Sequence, residues 1–111
     1  MLLAYKTKDL NKMTYSNDIR FEDMFYVRYE GLRLIPSKSA RKELIKYGLL
    51  LINCKMILIE GYSPRKRKKG TIEKWLDKGD KTYNIVVVRL YNHFFKEDVY
   101  LITHIGKFSR K

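Results

Sequence analysis

The chain is poor in residues that staple, break or ligate. It carries one cysteine, Cys54, so no internal disulfide can form and no cysteine-based zinc site can be built. Its two histidines, His93 and His104, stand eleven residues apart and make no metal-binding spacing, so neither a metal nor a cofactor is expected. No glycine-rich phosphate loop and no paired-carboxylate signature is present. The longest apolar run, residues 49–59, is broken by Asn53 and Lys55 and is too short to cross a bilayer. The opening MLLAYK has neither a charged n-region nor a full apolar stretch, so no signal peptide is expected and the chain reads as a cytoplasmic protein. Acidic residues are also scarce, 12 against 24 Lys and Arg, for a formal net charge of +12.

What is present is a chain that can fold. Its 111 residues are 45% apolar and 14% aromatic, too rich for a disordered basic tail and about the size of one domain. Burial of roughly two thirds of its surface is expected for that length. The charge is uneven. Residues 1–61 hold 11 basic and 7 acidic side chains, residues 62–111 hold 13 and 5. The densest point is Arg65, Lys66, Arg67, Lys68 and Lys69, between Pro64 and Gly70. Like charges packed that closely repel unless solvent or a polyanion screens them. A phosphate backbone is the usual partner, because releasing its condensed counterions drives association. The bland alternative is a Lys-rich surface with no such partner.

The local patterns predict an α+β domain over residues 1–111. Residues 18–35 read as an N-terminal β-hairpin: IRFEDMFYVRY is rich in aromatic and β-branched residues, Glu30-Gly31 offers the turn, and Leu32, Leu34 and Ile35 return. Phe21, Phe25, Tyr26 and Tyr29 read as its core. Residues 37–61 read as a helical hairpin, started by a serine after Pro36 and turned at Gly48, with Ala40, Leu44 and Tyr47 forming one stripe. Residues 49–60 suit a buried strand or a buried helix by pattern, and their length favours the helix. Residues 71–105 read as three antiparallel strands (71–77, 82–91 and 99–105) joined by loops at 78–81 and 92–98. The IVVV at the centre of the second predicts a strand buried on both faces. Residues 106–111 read as a basic tail.

SARKELIKYG, then SPRKRKKGTIEKWLDKGDKTYNIVVV, then VYLITHIGKF resemble a family of small prokaryotic proteins grouped with the RelE and BrnT toxins. The resemblance covers roughly residues 36–108, and its more specific parts are the strand pattern and the THIGKF ending. It implies a RelE-like fold, a helical hairpin packed on an antiparallel sheet. For the characterised toxins it also implies cleavage of ribosome-bound or free message. Members of the wider group often open the first helix with His-Ala; this chain has Ser39-Ala40, so any role of that histidine is absent here.

Metal-independent RNA cleavage needs a proton taken from the 2′-hydroxyl, one given to the leaving oxygen, and cations on the phosphate. The resemblance implies that Lys, Arg and Tyr on the concave sheet face and C-terminal segment do this. The matching region offers Lys74, Tyr83, Arg89, His104 and Lys107. By the period-two rule Tyr83, Ile85, Val87, Arg89 and Tyr91 share one face of their strand, and Tyr100, Ile102 and His104 share one face of theirs. The candidate catalytic set is therefore Arg89, His104, Tyr83 and Lys107. The candidate nucleic-acid-binding set is Arg65, Lys66, Arg67, Lys68, Lys69, Lys74, Arg110 and Lys111. Each has a plainer reading: His104 as a half-buried strand histidine, the tail cations as solvated, Trp75 as a cover for the sheet although it could stack a base. Cys54 reads as a small buried hydrophobe. Three functions stay open: an RNA-binding protein or metal-independent endoribonuclease, with RNA favoured over DNA; a non-catalytic DNA/RNA-binding module; and a protein whose positive face meets an acidic antitoxin-like partner. The helical hairpin could also bury a side on a second copy, giving a homodimer.

Overall fold

The computed structural model describes residues 26–110. Its elements are β1 (Arg28–Tyr29), β2 (Leu32–Pro36), α1 (Lys38–Tyr47), α2 (Leu51–Glu60), β3 (Thr71–Lys78), β4 (Lys81–Asn92) and β5 (Glu97–Ser109). The fold is α+β: the two helices lie against a curled five-stranded sheet of order β1-β2-β5-β4-β3.

Local chemistry accounts for each element. Glu30 and Gly31 both hold positive φ, 51° and 81°, the geometry of the type I′ turn that matches strand twist in a two-residue hairpin. Tyr29 pairs with Leu32 across it. Of the expected hairpin's aromatics, Tyr29 is buried and Tyr26 is exposed, while residues 18–25, with Phe21 and Phe25, lie outside the described residues. The Ser37 hydroxyl accepts the Ala40 N–H at 3.1 Å and so caps α1. Gly48, at φ 67°, ends α1 in the left-handed region. α2 opens with the Leu50 N–H donating to Asn53 Oδ1 at 2.8 Å and buries Leu51, Cys54, Ile57 and Leu58. No helix among the described residues is long and apolar enough to cross a membrane.

The sheet departs from the expected antiparallel arrangement. β3, β4 and β5 form the predicted meander, but β2 runs parallel to β5, from Arg33 opposite Val99 to Pro36 opposite Ile102. The connection between these two parallel strands is long, as such a pair requires, and runs through the helical hairpin and then β3 and β4. The strands are also longer than read from sequence. β5 continues through Lys107 and Phe108 to Ser109, opposite Lys81, so most of the expected basic tail is strand.

One face of the sheet holds the core. Leu34, Ile85, Val87, Tyr100, Ile102 and Ile105 pack there against Ala40, Leu44, Leu51, Cys54, Ile57 and Leu58 of the helices. Each fully buried aliphatic side chain contributes about 1.5–3 kcal/mol relative to exposure. Burial also pushes the Cys54 thiol up to about 12, so it stays a neutral hydrophobe in the packed interior. β4 is flanked on both sides as IVVV suggested, yet only Ile85 and Val87 are fully covered; Val86 and Val88, on the face away from the helices, are half-buried.

A β-bulge then changes which residues of β5 share that inner face. Val86 lies opposite His104 and Val87 opposite Ile102, leaving Thr103 as the extra residue. His104 therefore turns to the outer face with Gly106 and Phe108, and does not share a face with Tyr100 and Ile102 as uninterrupted alternation predicts.

Candidate nucleic-acid interface

The basic run is built into the structure through one carboxylate. Glu73 on β3 is 6% exposed, a position a lone charge does not tolerate. Its Oε1 accepts from Arg67 Nη1 at 2.8 Å and lies 3.3 Å from Arg65 Nε. Its Oε2 accepts from Trp75 Nε1 at 2.9 Å. Burial by itself would raise the Glu73 pKa; the Trp75 and Arg67 hydrogen bonds and the two guanidinium charges outweigh it and hold the carboxyl below its usual range. Tyr62 pairs with Trp75 through reciprocal backbone hydrogen bonds of 2.8 Å, which fixes the start of the loop, and the Arg89 N–H donates to the Gly70 carbonyl at 2.7 Å, which fixes its end. The run read from sequence as five equivalent cations thus divides. Arg65 and Arg67 are engaged with Glu73, whereas Lys66, Lys68 and Lys69 are exposed and make no ion pair among the described residues.

Because the folded pKa of Glu73 is lowered, its stabilising contribution is present in full above the unfolded carboxylate value, about 4.3, and is lost as pH falls through the folded one. Glu73→Gln is expected to lower stability at pH 7 by about 1–2 kcal/mol and to flatten the loss of Tm on acidification below about pH 4.5. Thermal unfolding of both proteins across a pH series measures this. Parallel curves would remove Glu73 as the origin of the acid sensitivity.

The loop, β3 and the β1–β2 turn enclose a cleft of about 410 Å³. Arg65, Lys66, Arg67 and Lys74 line it together with the Ser63 and Thr71 side chains, and Tyr29 and Glu30 form the opposite wall. Lys74 shares its strand face with Ile72 and Leu76 and is half-buried. Glu30, a non-glycine residue in the left-handed region, accepts a long hydrogen bond from the Tyr100 hydroxyl at 3.4 Å. Tyr29 and Tyr100 pack at 5.8 Å between ring centroids, and burial first, then the Glu30 carboxylate, raises both phenol pKa values. Arg89 lies close enough to Tyr100 to oppose that rise and is ion-paired with Asp98 at 3.0 Å. The cleft therefore offers an anionic guest four cations and the hydroxyls of Ser63, Thr71 and Tyr29, beside two carboxylates, Glu30 and the arginine-paired Glu73.

The four candidate catalytic residues do not meet. Tyr83 and Lys107 lie opposite one another, with the ammonium 5.7 Å from the ring, and Tyr83 borders an apolar hollow under α2 with Leu49, Met56 and Leu76. Arg89 is six residues further along β4, about 20 Å away at the rise of a strand. His104 is on the other face, with Nδ1 3.6 Å from Glu43 Oε1. Of the candidate binding residues, Arg65, Lys66, Arg67 and Lys74 come together in the cleft. Arg110 lies at the opposite end of β3, its Nη1 donating to the Gly79 carbonyl at 2.7 Å, and Lys111 is outside the described residues. Glu30, Tyr29 and Tyr100 were missed from sequence because their proximity to the loop depends on the curl of the sheet; an acidic residue in a turn position that favours Asn or Gly was the one available signal. Among the described residues no group of His, Cys, Asp and Glu could hold a metal ion.

Compared with protein families, curated proteins and solved structures, the chain matches none.

Proposed function

We propose that this chain binds RNA, taking backbone phosphates into the cleft between the Glu30 turn and β3, as a RelE-like protein of the toxin type acting in the cytoplasm. One observation carries the reading: Lys66 and Lys74 line a common cleft with Arg65 and Arg67 and have no ion pair among the described residues. Neutralising phosphates there would release condensed counterions, which makes affinity steeply dependent on salt. Metal-independent cleavage is a second reading, and it is favoured by Arg89 and the Tyr29, Tyr100 and Glu30 group at the same end of the sheet, a different set from Tyr83, His104 and Lys107.

The experiment is incubation of the protein with labelled single-stranded RNA, duplex DNA, and ribosomes carrying message, over a salt series without metal. Salt-sensitive binding of RNA supports the reading, and cleavage products lost in Arg89→Ala would add the enzyme. Equal affinity for RNA and DNA without products would reduce the protein to a phosphate-tracking module. Absence of binding at low salt would overturn the proposal and direct attention to an acidic protein partner.

A further inference from the structure

The outer face of the sheet is unlike the rest of the surface. The helices lie on the inner face, and the outer one carries Trp75 on β3, Asn84 on β4 and Gly106 on β5 in a single cross-strand row. Phe108 stands one row along, 43% exposed, with its ring edge-on to Trp75 at 5.7 Å between centroids. Tyr62, 49% exposed, lies on the other side of Trp75 at 6.5 Å. Three aromatic rings therefore adjoin on a face that no helix among the described residues covers.

Their geometry is fixed. The Trp75 N–H is committed to the buried Glu73, so the indole cannot turn edge-on to solvent without breaking a charge-assisted hydrogen bond. Gly106 keeps the neighbouring floor level: a Cβ there would fall 2.2 Å from Asn84 Oδ1 and 3.2 Å from His104 Nε2. Cations flank the rings, with the Arg65 guanidinium 5.9 Å from the Trp75 ring centroid on one side and Arg110, near Asp77, on the other.

Resting on the RNA-binding reading above, we infer that this face is a stacking platform for unpaired bases, so that the protein takes single-stranded nucleic acid. An exposed sheet face with aromatic side chains stacks bases because every base offers a π-face, and the flanking cations meet the phosphates on either side. A duplex keeps its bases stacked on each other and could use only the cations. Charge complementarity favours nucleic acid over an apolar protein surface, since the rings sit between guanidinium groups in a chain of net charge +12.

Trp75 is the chain's one tryptophan, so its fluorescence reports this face alone. The test titrates the protein with a single-stranded oligouridylate and with an RNA duplex of equal length, following Trp75 emission and the anisotropy of the labelled nucleic acid together. Expected are saturable quenching by the single strand and not by the duplex, and a loss of single-strand affinity of about tenfold in Phe108→Leu and Tyr62→Leu. Leucine keeps apolar bulk, so these variants are expected to fold. Single-strand binding with unchanged Trp75 emission and unchanged affinity in both variants would overturn the platform while leaving the cleft reading standing. Equal quenching by the duplex would overturn the single-strand preference. No binding of either nucleic acid at low salt would overturn both proposals.

Discussion

Replacing Lys66 and Lys74 together with glutamate is expected to weaken RNA binding about a hundredfold near 0.1 M salt and to make the salt dependence shallower by about two in the slope of log K against log salt. Both residues line the cleft, and neither supports the fold through an ion pair among the described residues, so folding should survive the change. Lys38 and Lys42, exposed on α1, supply the control, because reversing them alters the net charge by the same amount at another place. Fluorescence anisotropy with a labelled single-stranded RNA across salt concentrations separates the two cases. If both double variants lose affinity equally, the +12 charge acts as a diffuse field and the cleft has no special part in binding.

The second large effect is structural, at Gly61. A Cβ on Gly61 would stand 2.6 Å from the Ile57 carbonyl oxygen and 2.6 Å from the Trp75 carbonyl oxygen. Both are backbone atoms already bonded, the first to the Gly61 N–H that closes α2 and the second to the Tyr62 N–H of the bridge to β3. Neither can rotate aside as a flexible side chain would. Gly61→Ala is therefore expected to cost about 3 kcal/mol, at the upper end for overpacking, and to lower Tm by about 12–20 °C. Gly48→Ala provides the comparison. Nothing lies within 4 Å of a Cβ at Gly48, so only its left-handed φ is penalised, at about 1 kcal/mol. Thermal unfolding of the two variants should rank them clearly; a Gly61→Ala protein melting no lower than Gly48→Ala would mean that α2 and β3 can separate at little cost. The same substitution should loosen the basic loop, since the Tyr62 bridge anchors its start.

Much of the architecture was legible because it follows from local chemistry. Ser37, Gly48 and the spacing of Ala40 and Leu44 specify α1 within a few residues, and the Glu30-Gly31 turn specifies its hairpin. The parallel pairing of β2 with β5 was not legible, since it joins residues more than sixty positions apart, as in the Arg33–Glu97 contact, and leaves no periodic trace in either strand. The bulge at Thr103 was equally silent: one inserted residue moved His104 across the sheet and dispersed a site that regular alternation would have assembled. Charge was read correctly as a concentration of cations and too uniformly as a function. Only the position of Glu73 decides which of them, Arg65 and Arg67, are tied into the fold and which make no ion pair among the described residues.

The bulge region has one more consequence. β2 stops pairing at Ile102, so beyond that point the side of β5 away from β4 has no neighbouring strand among the described residues. The Ile105 N–H on that side is taken instead by Glu43 Oε1 of α1, at 3.1 Å. A free strand edge is a template on which a second chain can add and seed aggregation. Glu43 closes it with a group that accepts but cannot donate, so an arriving strand must displace a carboxylate before its first hydrogen bond forms. With Lys107 two residues further on, the helix layer guards this edge of the sheet against the addition of a strand.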